Sequence, residues 1–140
     1  MIAAARTPEE RTFLVSYIAA KLKLTPRDVV GDMPFEAIAA VKRGKVLGVV
    51  LYVNFRGPTI EMTCAGEPGW LTREHLRGFF AYPFEQLKVR RVTGIVHRKN
   101  KHARSINERL GFKLEGVCKH GFEDGDACVY GMIKQDCRWI

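Results

Sequence analysis

Four cysteines, Cys64, Cys118, Cys128 and Cys137, occur in 140 residues, and no two stand at C-x-x-C spacing. The four histidines do not gather beside them. The pattern therefore offers no metal site, and reduced, mostly buried thiols are expected. A chain of this length can bury enough surface to fold without a disulfide framework. No apolar run reaches membrane-spanning length, and the opening MIAAARTPEER lacks the apolar stretch of a signal peptide. A cytoplasmic protein without membrane contact is the expectation. Repeats, low-complexity tracts and linkers are missing too, which makes residues 1–140 a single domain.

Acid is scarce in one segment. Residues 88–119 carry ten lysines and arginines against only Glu108 and Glu115, while the rest of the chain has 13 bases and 13 acids. The net charge of +8 thus belongs to that segment. It predicts a phosphate-bearing small molecule, a nucleic acid or an acidic surface as partner, or else a merely solvated basic face. Inside it, NKHARSINERLGFKLEG reads as a short helix over 103–110, ended by a left-handed Gly111, with a strand beginning near Phe112. Arg98, Lys99, Lys101, His102 and Arg104 crowd the entrance of that helix, where unsatisfied N–H groups favour acids. An entrance so charged suits an anion.

What surrounds this segment reads as alternating strands and helices. IAAA predicts a short first strand. Thr7-Pro8 with Glu10 predicts a helix start, and Phe13, Leu14, Tyr17, Ile18 and Leu22 give that helix an apolar face ending before Pro26. Thr25-Pro26 repeats the start signal for a helical turn over 25–30. Residues 35–65 read as three strands turned at Arg43-Gly44-Lys45 and Arg56-Gly57-Pro58, the middle one, Val46 to Val53, apolar enough to be interior. Leu76, Phe79, Phe80, Pro83, Phe84 and Leu87 fall at helical spacing over 72–87, with Pro83 expected to kink the helix and free the carbonyl of Phe79. RRVTGIVH is a strand before the 103–110 helix. Phe112–Lys119 and Ala127–Lys134 are two more, joined through Asp124-Gly125. The order β-α-(α)-β-β-β-α-β-α-β-β predicts an α+β, three-layer fold: a mixed sheet of six or seven strands with helices on both faces.

That order, with Tyr82-x-Phe84, Arg91-Val92, Asn100 and Leu110-Gly111-Phe112-Lys113-Leu114-Glu115-Gly116, resembles the GNAT superfamily of acetyl-CoA-dependent N-acetyltransferases. The branch it is most similar to is the ribosomal-protein N-terminal acetyltransferase type, and the ending GMIKQDCRWI looks like its compact phage-encoded members. The motifs cover residues 70–117, and the element order the whole chain. In the loop that holds pyrophosphate in such proteins, the usual Arg/Gln, Gly and Gly/Ala slots are occupied here by Glu67, Trp70 and Thr72.

The resemblance implies acetyl transfer from acetyl-CoA to a primary amine, whether a protein N-terminus, a lysine or a small molecule. It implies a cofactor cleft beside the strand Thr63-Cys64-Ala65, whose N–H groups would meet the oxyanion where it splays from Arg91–His97. GEPGWLTREH would bring Trp70, Leu71, Thr72 and Arg73 to the phosphates, with Gly66 and Gly69 allowing unusual backbone angles and Glu67 turned outward. Asn100 would bind the pantetheine arm, and Arg104 with its neighbouring cations would serve the nucleotide phosphates. Asn107 occupies the slot of a thiolate-protonating tyrosine and can only orient a water or the sulfur. Glu61 is the in-strand candidate for the base, with His97 as the other titratable choice. Cys64 is not expected to be a nucleophile, since direct transfer needs none. For the acceptor, Leu24–Met33 and Phe122–Asp126 are the contributing loops, and a monomer or homodimer is expected. Two other readings stay open: a GNAT fold that binds without catalysis, and a basic nucleic-acid-binding protein. Against the second, the sequence has no helix-turn-helix, RNP or zinc motif.

Overall fold

The computed structural model describes residues 1–140. The strands are β1 (Ile2–Ala4), β2 (Phe35–Lys42), β3 (Lys45–Val53), β4 (Thr59–Gly66), β5 (Arg91–His97), β6 (Lys113–Phe122) and β7 (Gly125–Ile133). They form one sheet in the order β1-β2-β3-β4-β5-β7-β6. Every pairing is antiparallel except β4 with β5. The helices are α1 (Pro8–Leu22), α2 (Pro26–Val30), α3 (Arg73–Ala81) and α4 (Lys101–Leu110). The mixed seven-stranded, three-layer arrangement expected from the sequence is present.

Local chemistry sets the helix ends. Thr7 accepts the Glu10 N–H at 3.1 Å, while the Glu10 carboxylate reaches past the cap to the Arg6 N–H. At α2 the box closes fully, with Thr25 and Asp28 bonding each other's backbone. Asn100 caps α4 by accepting the Ala103 N–H at 3.1 Å. For that reason α4 starts at Lys101 rather than at 103, and Gly111 ends it at φ +108°.

The helix expected over 72–87 divides. After Ala81 the chain widens into a π-helical turn, Tyr82–Gln86. Pro83 has no N–H for the Phe79 carbonyl. The buried Tyr52 hydroxyl donates to that carbonyl at 2.7 Å instead. An interior strand thus repairs the break that the proline makes.

The sheet separates two cores. On one side α3 and α4 cover Val50, Tyr52, Ile60, Val92 and Tyr130, with Phe79, Phe80 and Phe112 between the layers. On the other, Leu14, Val15 and Ile18 of α1 and Val30 of α2 pack on Val49, Leu51 and Val53. On that second side α1 lies chiefly over β2, β3 and β4. Ile95 of β5 and Ile133 of β7 stay 41% and 38% exposed. The chain after β7 runs to the end of α4, where the Trp139 indole N–H donates to the Leu110 carbonyl at 2.9 Å and Arg138 to that of Arg109.

Candidate active site

The parallel ladder between β4 and β5 is short. Thr59 pairs with Arg91, Ile60 with Val92 and Glu61 with Thr93, and there it ends. Past that point Met62–Gly66 and Gly94–His97 diverge, as expected for a cleft. Strand alternation fixes which backbone groups face it. Glu67 donates to Leu47 at 2.7 Å, and Gly48 pairs with Gly66, so the amides of Ala65 and Thr63 are committed to β3. The Met62 amide is the last of β4 to donate to β5, within the Glu61–Thr93 pairing, and the Cys64 amide faces the open cleft. Of the expected oxyanion donors Thr63, Cys64 and Ala65, only Cys64 is therefore placed for that role.

Side chains alternate with the same period. Met62 and Cys64 point to the α3/α4 side, into a crevice shared with Leu71, Gly94, Asn107 and Phe112. The crevice measures about 30 Å³, room for about one water. Gly94 makes it possible: a Cβ there would stand 3.3 Å from the Asn107 amide nitrogen. Burial pushes the Cys64 thiol up to about 11. It is protonated near neutral pH and not an activated nucleophile.

The loop before α3 departs from expectation at Trp70. Its indole is buried at 7% exposure. It lies on Gly48 and Gly66, where added Cβ atoms would fall 2.2 and 2.6 Å from ring carbons. It packs on Phe79 with ring centroids 5.5 Å apart. An indole so enclosed fills the core and cannot cover phosphates. Gly66 likewise serves packing. Thr72 caps α3 by accepting the His75 N–H at 3.2 Å, and Glu67 turns outward to Lys21 at 2.8 Å. Arg73, the first residue of α3, holds its guanidinium 5.9 Å from the Trp139 ring.

At the entrance of α4 two cations, Arg98 and Arg104, are already engaged. Arg104 donates to the Tyr130 hydroxyl at 3.1 Å and to the Arg98 carbonyl at 3.2 Å, and Tyr130 donates in turn to Glu108 at 3.1 Å. Arg98 meets Asp126 at 3.4 Å. Arg104 is thus braced against the sheet rather than projecting freely, although it still borders an open groove with Lys101, Ser105 and Arg109. The Asn100 oxygen is used by the cap, which leaves its amide NH₂ for an outside acceptor.

Glu61 lies on the opposite face. Its Oε1 accepts from the Asn54 amide at 3.2 Å, and the Asn54 oxygen accepts from Arg56 at 3.2 Å. Asn54 holds a left-handed φ of +56°. It went unnoticed in the sequence because its only signal is an asparagine before a turn. His97, the other candidate base, is fully occupied. One ring nitrogen lies 3.0 Å from Asp124, and the other accepts the Lys99 N–H at 3.1 Å. Since the second nitrogen accepts, the first carries the proton and donates to Asp124. His97 stacks on Phe122 at 5.2 Å and anchors the β6–β7 hairpin instead of facing a substrate.

No protein-family profile matches the sequence, and no curated protein resembles it in sequence. Solved structures do resemble it in fold. The spermidine N-acetyltransferase from Vibrio cholerae in complex with CoA and spermine is 15% identical, with a TM-score of 0.73 over 97% of this chain and 96% of that one. A GCN5-related N-acetyltransferase from Brucella melitensis is 18% identical, with a TM-score of 0.72 over 96% and 76%. An IAA acetyltransferase from Bacillus cereus is 14% identical, with a TM-score of 0.63 over 95% and 99%. The fold is that of the GNAT acetyltransferases.

Proposed function

We propose that the protein is an acetyl-CoA-dependent N-acetyltransferase acting on a primary amine. The observation that carries this is the ladder ending at Glu61–Thr93, which leaves the Cys64 amide facing the open cleft and sets a carboxylate beside it on the other face of the sheet. The fold shared with acetyltransferases, one of them holding CoA and spermine, supports it, as does the Asn100 and 110–116 motif run. The finer likeness to ribosomal-protein and phage-encoded acetyltransferases rests on those motifs alone.

The residues present fit acetyl-CoA in kind. Cys64 offers an N–H donor, Asn100 an unused amide, and the start of α3 the N–H groups of Arg73 and Glu74. Bound there, acetyl-CoA would supply a thioester already activated for attack. The crevice must widen to admit it. No β4–β5 hydrogen bonds past Thr93 oppose that widening. On the acceptor side, Glu61 would take the amine proton through Oε2, the oxygen that Asn54 leaves unused. The amide of Cys64 would hold the developing oxyanion. Asn107 can donate a hydrogen bond to a departing sulfur but has no proton to give up at neutral pH, so protonation falls to water.

Acetyl transfer to a panel of amines and peptides, read together with a melting shift in acetyl-CoA, tests the reading. Stabilisation by acetyl-CoA with acetylated product supports it. Stabilisation without product favours the second reading, a module that binds and does not turn over, for which Asn107 in place of an acid is the motivating observation. No stabilisation and no product removes both.

A further inference from the structure

Resting on the acetyl-transfer reading, we infer that His97 is a positioning residue. It joins the β6–β7 hairpin on the Glu61 face to the Lys99–Asn100 corner that would receive acetyl-CoA, so that loosening the hairpin weakens the hold on the cofactor.

Strand register sets the side on which the ring lies. Glu61 stands opposite Thr93, and His97 lies further along β5 on the same face. Its Nε2 is 3.0 Å from the Asp124 carboxylate in the hairpin turn, and its Nδ1 accepts the Lys99 N–H at 3.1 Å. The backbone carbonyl of His97 accepts the Asn100 N–H at 2.9 Å. One residue thus fixes two successive amides, those of Lys99 and Asn100. Asn100 is the α4 cap, and its NH₂ is the group left for an outside acceptor.

Asp124 decides which nitrogen carries the proton. A neutral imidazole has one donor and one acceptor nitrogen, and the group facing either one selects the tautomer. A carboxylate only accepts, so it holds the proton on Nε2 and leaves Nδ1 free to accept from Lys99. The neighbouring acid, Asp126, is engaged elsewhere: it accepts the His120 N–H at 3.1 Å and meets Arg98 at 3.4 Å. The ring itself has a fitted seat. It stacks on Phe122 with centroids 5.2 Å apart and lies on Gly125, where a Cβ would stand 2.8 Å from ring atoms. Asp124, by contrast, is 86% exposed in its side chain. Truncating it disturbs the joint without disturbing the core.

Geometry and bare charge predict opposite signs for that truncation. Acetyl-CoA is a polyanion, so deleting a negative charge would by itself tighten its binding. If Asp124 acts through His97, Asp124→Ala should instead leave the corner competent only part of the time. Competence for about a third of the time raises the dissociation constant for acetyl-CoA about 3-fold.

The test measures acetyl-CoA binding by calorimetry, and hydrogen exchange of the Lys99 amide in the cofactor-free protein. Asp124→Ala should weaken binding and speed Lys99 exchange. Asp124→Asn keeps an accepting oxygen and should restore both. His97→Phe keeps the stacking on Phe122 but loses both ring hydrogen bonds, and in that background Asp124→Ala should no longer weaken binding. Unchanged or tighter binding by Asp124→Ala overturns the inference, as does an unmoved Lys99 exchange rate. A wild-type protein that binds no acetyl-CoA, but whose Lys99 exchange responds as expected, leaves the His97 joint standing and instead defeats the acetyl-transfer reading.

Discussion

Replacing Trp70 separates a core residue from a cofactor contact. The indole is almost fully enclosed and rests directly on two glycines. Trp70→Ala removes its buried surface and leaves a void against Phe79, at a cost of about 3–5 kcal/mol. For a chain of this size that is a fall in Tm of roughly 10–20 °C. Gly48→Ala should also destabilise, by about 1–3 kcal/mol, because its methyl group must displace the indole. In the Trp70→Ala background the same methyl group enters the vacated space, so the two costs should fall short of additive by about 1 kcal/mol or more. Chemical denaturation of the four proteins of this cycle gives the coupling directly. Strict additivity would refute the packing of Trp70 on Gly48. A Trp70→Ala protein that melts like wild type while losing acetyl-CoA affinity would restore Trp70 to the cofactor site.

Tyr52→Phe leaves the Phe79 carbonyl without its donor and should cost about 1–3 kcal/mol by denaturation; a neutral substitution would mean that the π-helical turn satisfies the carbonyl by itself. Glu61→Gln should lower turnover about 100-fold or more while acetyl-CoA binding holds, and unchanged turnover would move the base to solvent. Asn54→Gly relaxes the left-handed backbone and removes the amide held to Glu61, so kcat should fall by about 10-fold or more while the KM for acetyl-CoA holds; an unchanged kcat would exclude Asn54 as a positioning residue. The hydrogen bond from Arg91 holds the Glu115 carboxyl below its ordinary 4.5, which means its contribution is present above that pH and fades as pH falls through the folded value. Glu115→Gln should therefore flatten the decline of Tm below about pH 4.5, and parallel Tm curves for wild type and variant would contradict the linkage.

How far the sequence could be read depended on the range of the interaction. Thr7, Thr25 and Gly111 act within a few residues of themselves, and their capping roles are visible in sequence as they are in the fold. Pro83 is a local signal as well, and the carbonyl it frees is the one that Tyr52 meets. That Tyr52 would meet it is a tertiary fact carried by no spacing. Trp70 shows the opposite case. Its loop position suggested a ligand contact, but the glycines that seat it, Gly48 and Gly66, lie on separate strands brought together only by the β3–β4 register. His97 and Arg104 looked available because nothing in sequence announces Asp124 or Tyr130 as their partners. The excess of cations over 88–119 is real, but Arg91, Arg98 and Arg104 within it are tied to the sheet.

The account rests on acetyl-CoA entering between β4 and β5. A crystal structure of the protein grown with acetyl-CoA tests this most directly. The cofactor arm should lie between Met62–Cys64 and Gly94, with the thioester oxygen within hydrogen-bond reach of the Cys64 amide and Asn107 displaced from Gly94. Binding at 100 times the dissociation constant should accompany it with about 2.7 kcal/mol of stabilisation. Density for acetyl-CoA elsewhere on the protein, with the β4–β5 crevice still closed, would contradict the central claim.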